Sequence, residues 1–193
     1  MIKKIIISLS VVGIFYLYSC SPIGILGGAT TSTMVIAEGD RTLGTVVDDT
    51  TIKINISAKF LKSSNNLFID ISSNVIEGRV LLTGLVETQE IRIDAVRIVW
   101  EVEGVKEVVN EIIVGSNTTI KEYANDLWIN TQAKALAAKT VGLRSLSYNF
   151  ETIKGRVYIA GITSRPEQLD DIIKVTKTIK GVKEIINYVI LKE

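Results

Sequence analysis

The chain has 193 residues, 47% of them hydrophobic and 22% charged, with a formal net charge of +1. That length suits one domain or two small ones, the composition supports a packed core rather than disorder, and the near-neutral charge names no partner. With no histidine and a single cysteine, the chain is denied an intrachain disulfide, most metal sites and every catalytic scheme built on His or on a Cys–His pair.

The first element is a targeting segment. MIKKIIISLSVVGIFYLYSC sets Lys3 and Lys4 ahead of an almost wholly apolar run, Ile5 to Leu17, the layout of a signal peptide over residues 1–19. A bilayer-crossing helix needs about 20 apolar residues, so a permanent span is the weaker reading. The apolar residues from Ile23 to Ala29 keep it open. The LYSC ending resembles a bacterial lipobox, with Leu17 three before the cysteine and small Ser19 directly before it, although Tyr18 is bulkier than is usual there. The resemblance implies diacylglycerol on Cys20, cleavage before it and acylation of the new amino group. Several acyl chains anchor stably where one is marginal. The alternative is an ordinary signal peptide with an incidental cysteine, but an exported protein gains little from one unpaired thiol. Ser21 stands where Asp retains enteric lipoproteins in the inner membrane, so it favours the outer membrane. Residues 20–47, with Gly24, Gly27 and Gly28, read as a flexible tether.

Beyond the tether the chain repeats itself. GVKEVVNEIIV (Gly104 to Val114) returns as GVKEIINYVIL (Gly181 to Leu191), and EGRVLLTGLVE (Glu77 to Glu87) returns as KGRVYIAGITS (Lys154 to Ser164), both 77 residues on. From Asp49 to Val114, 17 of 66 positions are identical in the second copy without a gap, where unrelated segments give about 4. The chain therefore holds two copies of one unit, residues 48–114 and 125–193, with a linker at 115–124.

The first element of each unit is ambiguous by itself. DDTTIKINISAKFLK alternates early, like a strand, whereas NDLWINTQAKALAAK is alanine-rich and helical, with Asp126 as a candidate cap. Two copies share one fold, so both are expected to be helices. LFIDIS and SLSYNF alternate with period two and read as strands. Their hairpin partners are RVLLTGLV and RVYIAGIT, across turns holding Gly78 and Gly155. Gly84 and Gly161 fall inside strands, where a missing side chain signals a bulge or a close helix. TQEIRIDAVRIVWEV places Ile91, Ala95, Ile98, Val99 and Val102 at helical spacing, Gly104 suits the turn that ends that helix, and VKEVVNEIIV is a β-branched strand. The fold class is α+β: two tandem α-β-β-α-β units, each a three-stranded mixed sheet covered by two helices.

That order, the strands GRVLLTG and GRVYIAG, and the strands GVKEVVN and GVKEIIN resemble the BON domain. Two such domains behind a lipobox resemble the dual-BON outer-membrane lipoproteins associated with division, outer-membrane stress and lipid binding, over about Arg41 to Glu193. The resemblance implies periplasmic location at the outer membrane, no catalysis, no cofactor, and binding of anionic phospholipid through the second domain. It points to the first helix of that domain and to a Trp at position 128.

Differences between the copies indicate where function separates. Asp48 to Val114 has 7 basic and 11 acidic side chains, net −4, whereas Asn125 to Glu193 has 11 basic and 7 acidic, net +4. A basic copy is drawn to anionic headgroups, about 1 kcal/mol per Lys or Arg at the surface. Nucleic acid is also a basic-surface partner, but an exported chain rarely meets it. Trp128 and Leu127 replace Thr51 and Thr50, while Ile52, Ile56 and Phe60, matched by Ile129, Ala133 and Ala137, form the expected buried stripe. A position polar in one copy is expected outside the core in both, so Trp128 exposes an indole suited to a membrane interface or to a domain contact. The expected phospholipid-binding residues are Leu127, Trp128, Thr131, Lys134 and Lys139. Trp100, opposite Lys177 in the repeat, is a weaker candidate for a domain contact. Adjacent Asp170 and Asp171 diverge on a helix, and no phosphate loop follows a strand, which argues against an enzyme. The rival reading is an adaptor whose packed domains present one face to an envelope protein partner.

Overall fold

The structure, a computed structural model, describes residues 42–63, 67–116 and 118–192. The expected signal segment, Cys20 and the tether as far as residue 41 lie outside the described residues.

Each unit begins with a long helix. Helix α1 (Leu43–Lys62) is capped by Thr42, whose side chain accepts from the Thr45 N–H. Helix α4 (Ile120–Val141) opens on a full capping box, Thr119 and Glu122 each satisfying the other's backbone N–H. The two helices thus start inside the stretches read as tether and as linker. Asp126 is not the cap of α4; it sits two turns inside. The ambiguous first element is a helix in both copies.

The next stretches differ from the strands expected at LFIDIS and SLSYNF. Leu67–Asp70 is a single helical turn, α2, and Gly142–Ser147 is a 3₁₀ turn. Strands β1 (Ile71–Ile76) and β4 (Tyr148–Ile153) start only after them. The reason is visible on the central strands β2 (Arg79–Val86) and β5 (Arg156–Thr163). A Cβ on Gly84 would stand 2.2 Å from the Asp70 carbonyl oxygen, and one on Gly161 would stand 2.5 Å from that of Ser147. The backbone leading into each edge strand crosses directly over a strand glycine, so the close approach expected there comes from this turn.

β1 pairs antiparallel with β2 and β4 with β5, and both turns use two residues at positive φ, Glu77–Gly78 and Lys154–Gly155, the pattern that matches strand twist. Helix α3 (Gln89–Trp100) then carries the chain to β3 (Glu107–Val114), parallel to β2, as α5 (Pro166–Lys177) does to β6 (Glu184–Leu191), parallel to β5. The sheet orders are β1-β2-β3 and β4-β5-β6.

Both faces of each sheet are used. The inner face of the first sheet meets Ile52, Ile56 and Phe60 of α1 and Ala95 and Val99 of α3. Ile129, Ala133 and Ala137 of α4 and Leu169 and Ile172 of α5 do the same in the second unit. The outer faces pack on each other: Ile76, Leu81 and Val109 of the first sheet join Tyr158, Ala160, Ile162 and Ile186 of the second in one apolar layer. Central strands covered on both faces read as nearly continuous apolar runs, which RVLLTGLV and RVYIAGIT are.

Candidate functional site

Helix α4 presents the expected contact residues. Burial of Ile129, Ala133 and Ala137 fixes its inner face, and at about 100° per residue Trp128 emerges on the opposite side. Trp128 is 56% exposed and Leu127 55%. The indole is sealed neither in its own core nor against the first domain. Thr131, Lys134 and Lys139 are exposed too. The Thr131 hydroxyl donates to the Leu127 carbonyl at 2.8 Å, so its polar group is satisfied within the helix. Trp128 and Lys139 follow one outward line, with Thr131 about 60° to one side of it. Leu127 and Lys134 stand on the neighbouring flank, where the Lys134 charge acts on Glu151 of β4.

The structure adds cations that sequence spacing did not single out. Lys121 lies two turns before Trp128 on the same outward line and is exposed. The Gly181 turn packs against α4 beside Trp128, where a Cβ would stand 3.0 Å from the Asn125 side chain and 3.2 Å from Ile129. That turn carries Lys180 and Lys183. Lys154 and Lys183 help hold the Glu122 carboxyl below its usual range, after the dominant hydrogen bonds from Thr119, which places both ammonium groups near the first turn of α4. In the first domain the matching corner is an open hollow of about 300 Å³ lined by Asp48, Thr51, Glu77 and Glu103. The repeat therefore exchanges Asp48, Glu77 and Glu103 for Asn125, Lys154 and Lys180 around the residue that changes from Thr51 to Trp128. The 77-residue offset was the signal that could have found them.

One expectation changes. Trp100 is half-exposed and absent from the layer between the sheets, since α3 lies on the opposite face of its sheet from that contact. The first domain's helix carries an exposed apolar surface of its own. Val47, Ile54 and Leu61, seven residues apart, are 62%, 62% and 68% exposed and form an apolar line along α1. What distinguishes the second domain is the indole and the positive field around it.

Among the described residues no helix is long and apolar enough to cross a membrane, and no group of three or more His, Cys, Asp or Glu side chains is placed to hold a metal. The doubled α-β-β-α-β unit, with its glycine hairpins and parallel closing strand, is a tandem BON-domain architecture, and the chain belongs to the BON domain family, whose profile matches residues 48–116 and 125–193. It is similar to a protein of Anaplasma centrale described as the uncharacterized protein in the gshII 5′ region, 41% identical over 147 residues, covering 76% of this chain and 96% of that one. It is also similar to the outer membrane lipoprotein DolP of Haemophilus influenzae, 27% identical over 187 residues and covering 96% and 94% of the two chains. A third relative is the osmotically-inducible protein Y of Escherichia coli, 29% identical over 147 residues, 75% of this chain and 73% of the relative.

Proposed function

We propose that the protein is a periplasmic, non-catalytic lipoprotein that binds anionic phospholipid through α4 of its second BON domain and supports outer-membrane integrity. Acyl chains on Cys20 hold it to the outer membrane, which is also the location in the printed name of its Haemophilus relative. Trp128, Leu127 and Thr131 enter the interface, and Lys134 and Lys139 meet headgroups, joined by Lys121 and Lys183. The observation that carries this reading is the 56% exposure of Trp128 inside a domain of net charge +4. A large exposed indole needs an apolar partner, and a cationic rim selects an anionic one. The anchor makes the contact intramolecular, so weak intrinsic affinity suffices.

Vesicle flotation of the full chain carrying Cys20→Ala tests it. Binding to phosphatidylglycerol vesicles is expected to fall with salt and to drop roughly tenfold with Trp128→Ala, a loss of about 1.4 kcal/mol. That variant should keep its thermal stability, within about 0.5 kcal/mol for an exposed site. Equal flotation of both forms rejects the α4 contact. The exposed line Val47, Ile54 and Leu61 supports a second reading, an adaptor that docks an envelope protein on α1. Under that reading Ile54→Asp removes a partner from cross-linked envelopes while flotation is unchanged.

A further inference from the structure

Helix α4 carries a broader apolar face than Trp128 and Leu127 alone. At about 100° per residue, Ile120, Ala124, Leu127, Trp128, Thr131 and Ala138 fall within one sector about 100° wide, and all six are exposed. No charged residue of α4 lies in that sector. Lys121 and Lys139 border it on the Trp128 side and Lys134 on the Leu127 side. An apolar stripe of this width edged by lysines suits a helix lying in a membrane interface.

Across a cleft of about 690 Å³ from Tyr123 and Leu127, the first domain presents a second apolar tip. Leu67 of α2 is fully buried, and the Asp70 carbonyl oxygen presses on Gly84, where a Cβ would stand 2.2 Å away. Both ends of the turn are thus fixed. Phe68 and Ile69 between them are held outward, 50% and 80% exposed. The repeat places Ser145 at the position of Phe68 and Thr50 at that of Leu127, so the fold itself does not demand this facing pair of large apolar side chains. Adjacent exposed apolar side chains on a fixed turn call for a partner.

Charge turns the same end of the molecule toward an anionic surface. Ile71, next to α2, pairs with Gly84, at the far end of β2 from the Glu77–Gly78 turn. The tip and the acidic corner of Asp48, Glu77 and Glu103 therefore occupy opposite ends of the first sheet. Lys154 of the second domain reaches the Ser116 carbonyl just past the end of β3, which is the α2 end. The basic corner and the apolar tip thus share one end, and the acidic corner points away from it. Two carboxyls on the cleft, Asp70 and Glu151, are pushed above their usual range, Asp70 by burial and then the charge of Glu87, Glu151 by burial against the pull of Lys134 and Lys53. Both shifts lower the cost of bringing these groups to anionic headgroups.

We infer that the first domain enters the bilayer as well: Phe68 and Ile69 insert into the same leaflet as Ile120, Leu127 and Trp128. The protein then sits on anionic phospholipid by two apolar contacts, one from each BON domain, with α4 lying in the plane of the interface. This contact rests on the lipid reading of α4 and adds to it a second site and an orientation.

The test uses the full chain carrying Cys20→Ala and phosphatidylglycerol vesicles. Phe68→Ser combined with Ile69→Ser should weaken flotation several-fold with little change in melting temperature, because both side chains are exposed. An environment-sensitive fluorophore on Ile69→Cys, then the sole cysteine, should shift to the blue when vesicles are added. The same fluorophore on Glu103→Cys, at the opposite end of the first sheet, should not. If Trp128→Ala lowers flotation but the Phe68–Ile69 double variant floats like its parent, or if the Ile69 probe stays aqueous, the first-domain contact is overturned while the α4 reading stands. If the parent chain does not float at all, both fall. A blue shift that grows with protein concentration without vesicles assigns the tip to a second copy of the chain and also overturns the contact.

Discussion

Asp49 and Asp126 perform the same task 77 residues apart. The Asp49 carboxylate accepts from the Glu77 and Gly78 N–H groups, both at 2.8 Å. That of Asp126 accepts from Lys154 at 2.6 Å and Gly155 at 2.8 Å. Each ties the first helix of its domain to a hairpin whose non-glycine residue, Glu77 or Lys154, is held at positive φ, a conformation most side chains avoid. Charged acceptors on backbone donors are among the stronger hydrogen bonds. Asp126→Ala would leave both turn donors without their partner and is expected to cost roughly 2–4 kcal/mol in urea denaturation, with Asp126→Asn recovering part of the loss. A cost below that of an ordinary surface substitution would show that the turn holds itself. In the sequence these aspartates were legible as an aligned pair but not as clamps, because the only local role a lone Asp near a helix start suggests is a cap. The clamp is a long-range contact, and no local pattern encodes it.

At the scale of elements, the two domains solve one packing problem with different volumes. In the first, α1 places Phe60 in the core and the edge strand offers small Ser73; in the second, α4 places Ala137 there and the edge strand offers Phe150. Both pairs are related by the repeat offset, so one bulky ring moves from helix to strand while the space between them is conserved. Phe150→Ala alone should cost roughly 3–5 kcal/mol by leaving a cavity. Ala137→Phe alone should cost roughly 1–3 kcal/mol by overpacking. Together they are expected to fall short of the sum by at least about 1 kcal/mol, measured by chemical denaturation of the four species. Full additivity would mean that the two sites fill separate spaces. The helices, central strands and buried stripe were legible because period and repeat agreed: the alternation of DDTTIKINIS suggests a strand, and its alanine-rich twin overrules it. The start of α4 was also written in the chain, as Thr119 and Glu122, three residues apart. It was obscured because Ile120 and Tyr123 in that first turn are exposed and add nothing to a core pattern. The helical turn at Leu67–Asp70 was not legible, since alternation over six residues does not separate a strand from a turn that precedes one.

For the whole molecule, the domains meet as near-equivalents. The Tyr188 hydroxyl donates to the Glu111 carboxylate at 2.5 Å, and these two residues occupy the same position of the repeat. The hairpin turn of each domain also reaches the end of the other's last strand, through Lys192–Glu77 at 2.8 Å and the Lys154 ammonium on the Ser116 carbonyl at 3.4 Å. This approximates the reciprocity of a two-fold interface, in which a patch meets its own counterpart. It was hidden in sequence because an apolar run announces burial without naming what covers it. The interface has a pH signature. Burial first, and the hydrogen bond and charge of Glu111 next, push the Tyr188 hydroxyl up to about 12, and burial pushes Tyr158, across the same layer, up to about 12 as well. A folded-state value above the unfolded one of about 10 favours the protonated form on folding. The associated stability is therefore complete below pH ~10 and lost as pH rises through ~12. Wild-type thermal stability should fall steeply across that window. Tyr188→Phe, which cannot ionise, should fall less steeply while retaining the slope due to Tyr158. Melting curves across the window, with phenolate absorbance read in parallel, check this. Identical slopes for the two proteins would mean that the Tyr188–Glu111 contact does not couple the domains.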